Sequence, residues 1–132
     1  MRIMNKRSKY SIVIPVGMKP RPKVHEETAA DILADYFKSD VYFLETASHG
    51  MPDVSIKGIE WEIKSPIGDS ENNIRKNMRE AGIQSRNIVI DLRRSKLHQT
   101  RAIGYIKQYM ATSGKLDRVL IITKAKQILT IK

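Results

Sequence analysis

The sequence predicts a single α/β domain in which one mixed β-sheet carries helices on its faces. Three observations lead there. The chain has 132 residues, enough for one core and too few for two independent ones. Segments with the 3.6-residue apolar period of an amphipathic helix alternate with short apolar runs of strand length. From Asn87 to Leu92 the only charge is Asp91, the pattern of a strand buried on both faces.

Taken in order, residues 1–22 read as a basic N-terminal arm. Within it, Tyr10 to Val16 reads as a short edge strand, and Lys19-Pro20-Arg21-Pro22 is a stiff connector that cannot join a helix. Residues 23–132 form the domain proper. A helix runs from about Lys23 to Phe37, because Ala29, Ala30, Ile32, Leu33, Tyr36 and Phe37 gather on one side. Glu26 falls inside that apolar sector. Val41 to Leu44 is a strand. Residues 52–64 then form a hairpin about Lys57-Gly58, with glycine where a tight turn wants positive φ. After Pro66 and Gly68, Asp69 or Ser70 caps a helix to about Ala81, with Ile74, Met78 and Ala81 inward and Gly82 as its stop. Ser95 to about Thr112 is a third helix, with Ile103, Ile106 and Met110 as its stripe. Val119 to Thr123 and Gln127 to Ile131 are the last strands. The succession is α-β-β-β-α-β-α-β-β.

Composition narrows the function classes. Hydrophobic residues are 41% and charged residues 29%, which is ordinary globular chemistry. The chain has no cysteine, so disulfides, thiolate metal sites and cysteine nucleophiles are excluded, and a reducing cytoplasm is the expected setting. The apolar stretch Ile12 to Val16 is far too short for a signal core or a membrane span, so no membrane partner is expected. Net charge is +10, unevenly placed: residues 1–23 carry +7, residues 24–64 carry −6 and residues 65–132 carry +9. Basic flanks attract a polyanion, and nucleic acid is the expected partner. The carboxylate-rich centre calls for a separate explanation.

The hairpin register supplies one. Folding the chain at Lys57-Gly58 places Asp53 opposite Glu62 and puts Lys64 on their face of the sheet. Like charges so opposed destabilise a strand pair unless they share a proton, face solvent or hold a cation. Mg²⁺ and Mn²⁺ favour such oxygen donors, and the Ile63 carbonyl adds a third. A lysine beside that set can orient water or neutralise a phosphoryl group. Phosphodiester hydrolysis is therefore the expected chemistry. Arg75, Lys76, Arg79, Arg93 and Arg94 are the expected nucleic-acid contacts beyond the arm. His25, His49 and His98 are scattered without metal-ligand spacing.

Pro52-Asp53, eight residues, then Glu62-Ile63-Lys64 resembles the PD-(D/E)XK nuclease superfamily. With His25-Glu26, the run from Trp61 to Pro66, and the stretch from Gln84 to Arg94, the chain resembles more closely the tRNA-nuclease C-terminal domain of contact-dependent growth-inhibition toxins and their stand-alone relatives. The resemblance covers about residues 24–131. It implies a restriction-endonuclease-like αβββαβ core and a metal-dependent nuclease acting on RNA, with tRNA favoured. It also implies catalytic roles for Glu26, Asp53, Glu62, Lys64 and Gln84, a divalent metal (Mg²⁺ or Mn²⁺, with Zn²⁺ also compatible), and a cognate immunity protein as partner. The alternatives are a DNA endonuclease of the same fold and a non-catalytic nucleic-acid-binding module.

Overall fold

Lys57 and Gly58 have φ of 52° and 80°, the left-handed pair that closes a two-residue hairpin with the twist its strands need. The computed structural model describes residues 2–3, 9–45 and 51–132; His49 and residues 4–8 of the basic arm lie outside them. Around this turn the chain builds a mixed sheet whose strands lie side by side in sequence order. They are β1 (Arg2–Ile3), β2 (Ile12–Ile14), β3 (Val41–Phe43), β4 (Val54–Ile56), β5 (Ile59–Lys64), β6 (Asn87–Asp91), β7 (Arg118–Ile122) and β8 (Ile128–Thr130). Three helices connect them: α1 (Val24–Phe37) between β2 and β3, α2 (Glu71–Gln84) between β5 and β6, and α3 (Gln99–Thr112) between β6 and β7. Each helix joins a parallel strand pair, and the remaining neighbours are antiparallel.

Alternation along the strands sorts the core into two layers. Val89, Leu120 and Ile122 face α1 together with Ile12, Ile14, Val41, Val54, Ile56 and Trp61. Ile88, Ile90, Val119 and Ile121 face α2 and α3, against Ile74, Met78 and Ile106. The continuous apolar run of β6 serves both layers at once.

Four expectations need correction. The strand expected at an edge, within Tyr10 to Val16, lies inside the sheet: Ile12–Ile14 is buried and flanked by β1 and β3. Its parallel partner is supplied only after α1 has crossed over, a contact no local pattern announces. Tyr36, expected inward, is 45% exposed while Ala34 takes the buried position; the Tyr36 ring stands edge-on to Phe37. Gly82 does not stop α2, which continues to Gln84. A side chain at Gly82 would make only ordinary contact with Leu116, at 3.5 Å, so the position fits inside the helix as well as at its end. Finally, α3 starts at Gln99, because Ser95 to His98 form a turn in which the Ser95 hydroxyl accepts the Leu97 amide at 3.2 Å. His98 then caps the helix by accepting the Thr100 amide at 3.3 Å. Ser70 caps α2 as expected, accepting the Asn73 amide at 3.2 Å. No helix among the described residues is long and apolar enough to cross a membrane.

Candidate active site

The β4–β5 ladder is regular from the turn to the Val54–Trp61 pair and stops there. Asp53 is a bend residue preceding β4, so the simple strand register that sets it opposite Glu62 is not what forms. Its amide donates to the Trp61 carbonyl at 3.0 Å, and its carboxylate accepts the Ile63 amide at 2.9 Å. The side chain thus takes over a bond that the next residue of the strand would otherwise accept. That residue is Pro52, which has no amide hydrogen to return. The effect of the break is to bring the Asp53 carboxyl beside Glu62 across the end of the ladder, where each carboxyl perturbs the other.

Glu62 is not on a solvated face: it is 3% exposed. The α2 helix packs over β5, and its last turn carries Gln84 to the carboxylate. Oriented with its nitrogen inward, the Gln84 amide donates to Glu62 Oε1 at 2.9 Å and also reaches Oε2. Lys64 Nζ lies 3.5 Å from Glu62 Oε2. Burial, and then the neighbouring Asp53 charge, push the Glu62 carboxyl up to about 8 despite the pull of Lys64. Burial also raises Asp53, opposed by the Ile63 amide. Burial and the approach of the two carboxyls thus both favour keeping a proton on the pair.

Glu26 approaches from the first turn of α1. Its Oε1 accepts the Lys23 amide at 2.7 Å, closing the helix start, and its charge adds to the upward push on Asp53. A cleft of about 330 Å³ runs from this helix start to Ile63 and Lys64. Ser65, whose buried hydroxyl has no hydrogen-bond partner, and Asn77 of α2 also line it. Of the five residues expected to act together, Asp53, Lys64 and Gln84 gather about the Glu62 carboxylate, while Glu26 lines the cleft with Lys64 and acts on Asp53 through its charge. Sequence reasoning passed over Lys23 and Asn77, which reach the cleft only through the packing of α1 and α2.

The expected phosphate contacts separate into two kinds. Arg75, Lys76, Arg79 and Arg94 are exposed, Arg75 with its Nε 2.9 Å from Glu71. Arg93 is instead half-buried and bound on both sides of its guanidinium to the fully buried Asp91, at 2.6 and 2.9 Å. His25 meets Arg94 at the cleft mouth; burial and then that charge lower the imidazole pKa.

Among the described residues no three His, Cys, Asp or Glu side chains converge to hold a metal by themselves. The donors present fit a hard divalent cation nonetheless. Two adjacent carboxyls plus the Ile63 carbonyl would leave positions for waters and substrate oxygens, as Mg²⁺ sites do.

Comparison with known proteins places this arrangement in context. The family described as "Contact-dependent growth inhibition CdiA C-terminal domain" matches residues 50–128, which span β4 to β8 and include Asp53, Glu62, Lys64 and Gln84. Among solved structures, the chain is similar to one described as "CdiA-CT/CdiI toxin and immunity complex from Burkholderia pseudomallei". The TM-score is 0.67 at 22% identity, covering 91% of this chain and 98% of that one. No curated protein matches. The chain belongs to the contact-dependent growth inhibition CdiA C-terminal domain family.

Proposed function

We propose that this chain is a toxin nuclease that hydrolyses phosphodiester bonds with a divalent metal, and that its substrate is RNA, tRNA before other RNAs. The observation that carries the reading is the pairing of half-buried Asp53 with buried Glu62, with Lys64 Nζ 3.5 Å from Glu62. Ion pairs on a solvated strand face would need no burial and no shared proton. Here Glu62 is enclosed by protein, and Lys64 beside it lines the cleft.

Asp53, Glu62 and the Ile63 carbonyl would hold Mg²⁺ or Mn²⁺. When bound, such a cation lowers the pKa of a water and neutralises charge on the phosphoryl group. Gln84 fixes the Glu62 carboxylate by donating to it, so the pair keeps its orientation when the shared proton leaves. Lys64 keeps its ammonium beside the same carboxylate, where it orients the attacking water or meets the phosphoryl oxygen. The net charge of +10 draws the polyanion in. The preference for tRNA rests on the resemblance to tRNA-cleaving toxin domains. A cognate immunity protein is the matching proposal on the partner side, in keeping with the description of the structural neighbour.

The test is incubation of purified protein with end-labelled tRNA, single-stranded DNA and duplex DNA, each with Mg²⁺, Mn²⁺ or EDTA. Metal-dependent cleavage of tRNA is expected. Cleavage confined to DNA would keep the chemistry and change the substrate. Intact nucleic acid in every metal condition would refute the reading.

A further inference from the structure

The paired arginines after β6 are used in opposite ways. Arg93 binds Asp91 through Nε and Nη2, and Nη2 also donates to the His25 carbonyl at 2.9 Å. This clasp ties the first turn of α1 to the C-terminal end of β6, two segments far apart in sequence. Arg94 turns the other way. It is exposed and forms no ion pair with a carboxylate among the described residues. Its Nη1 lies 3.0 Å from Nε2 and 3.2 Å from Nδ1 of His25. Lys23 lines the same cleft, which continues to Ile63 and Lys64.

Two carboxylates also line this cleft, and neither opposes Arg94 directly. Asp91 is neutralised by the two-pronged contact of Arg93. Glu26 accepts the Lys23 amide and acts on Asp53, toward the carboxyl pair. The cleft thus presents a guanidinium, an imidazole and an ammonium, while Glu26 and Asp91, which also act on the imidazole, are engaged by the Lys23 amide and by Arg93. Such a group of donors is matched by phosphate oxygens.

We propose that His25 and Arg94 form a second phosphate subsite, which holds the backbone phosphate next to the one presented to Asp53, Glu62 and Lys64. Arg93 is its positioning residue. The substrate class that follows is a polynucleotide strand with consecutive phosphates. The identity of the first subsite rests on the nuclease reading; the second stands on its own geometry.

The experiment uses adenosine 3′,5′-bisphosphate titrated into the full chain in EDTA, with the His25 imidazole resonances followed by NMR. Saturable shifts of the His25 signals are expected. Arg94→Gln, at an exposed position, should weaken binding roughly tenfold or more, the effect of losing a charged hydrogen bond. Lys115→Gln, also exposed, should leave it unchanged. Silent His25 resonances, or an Arg94→Gln protein that binds as tightly as wild type, would overturn the subsite even if the protein cleaves RNA. Arg94-dependent binding together with intact tRNA and DNA in Mg²⁺ and Mn²⁺ would support the subsite while refuting the nuclease reading.

Discussion

Replacing Glu62 by glutamine should stabilise the metal-free protein, and by an amount that grows with pH. The folded-state pKa of Glu62 is raised from 4.5 to about 8, chiefly by burial and by Asp53. Between those values the folded chain holds a proton that the unfolded chain has released. The associated stability is therefore complete below about pH 4.5 and is lost as pH rises toward 8. Each pH unit in that window corresponds to about 1.4 kcal/mol, so the full loss is on the order of 5 kcal/mol. Glutamine reproduces the protonated carboxyl: its oxygen accepts from Gln84 and its nitrogen faces Asp53. It titrates nothing, and it gives up only the attraction of Lys64, which solvent partly screens. Urea denaturation in EDTA should thus find Glu62→Gln within about 1 kcal/mol of wild type near pH 5 and on the order of 3 kcal/mol more stable near pH 8. A difference that is the same at every pH, or a variant less stable near pH 8, would refute the shared-proton account. Glu62 would then be a structural partner of Lys64.

Other consequences follow from the same geometry. Asp53→Ala and Lys64→Ala should each lower the cleavage rate by roughly 100-fold or more while nucleic-acid binding, measured by fluorescence anisotropy, survives. A wild-type rate would remove that residue from the site. Arg93→Ala leaves Asp91 buried without its partner and should lower stability by about 3–5 kcal/mol in chemical denaturation; a loss under about 1 kcal/mol would mean the clasp is dispensable. Changing Lys6, Arg7 and Lys9 together to glutamine should flatten the log–log salt dependence of binding by about 0.7–0.9 per lost phosphate contact, and an unchanged slope would take the arm off the nucleic acid. Substitution serves better than deletion there, because Arg2–Ile3 pairs with β2.

What the sequence revealed was mostly what neighbours along the chain decide. The Lys57-Gly58 turn, the Ser70 cap and the apolar period of β6 depend on a few adjacent residues, and each formed. The hairpin turn also carried Asp53 and Glu62 toward one another, so the candidate site was legible from thirteen consecutive residues, Pro52 to Lys64. Its details were not. A break at Pro52 turns Asp53 away from a plain strand position, and only the packing of α2 buries Glu62. The exit of Gln84 toward Glu62 depends on α2 running past Gly82 to Gln84. Arg93 and Arg94 look alike in sequence; His25, 68 and 69 residues earlier, separates their roles.

The central claim is that the Asp53–Glu62 pair exists to hold a divalent cation, and Mn²⁺ binding followed by electron paramagnetic resonance tests it most directly. The spectrum of free Mn²⁺ should diminish as wild-type protein is added, with saturation at one or two ions per chain. The double variant Asp53→Asn/Glu62→Gln, folded by circular dichroism, should leave the free signal intact. Wild-type protein that takes up no Mn²⁺ at millimolar concentration, or a double variant that binds it equally well, would contradict the account.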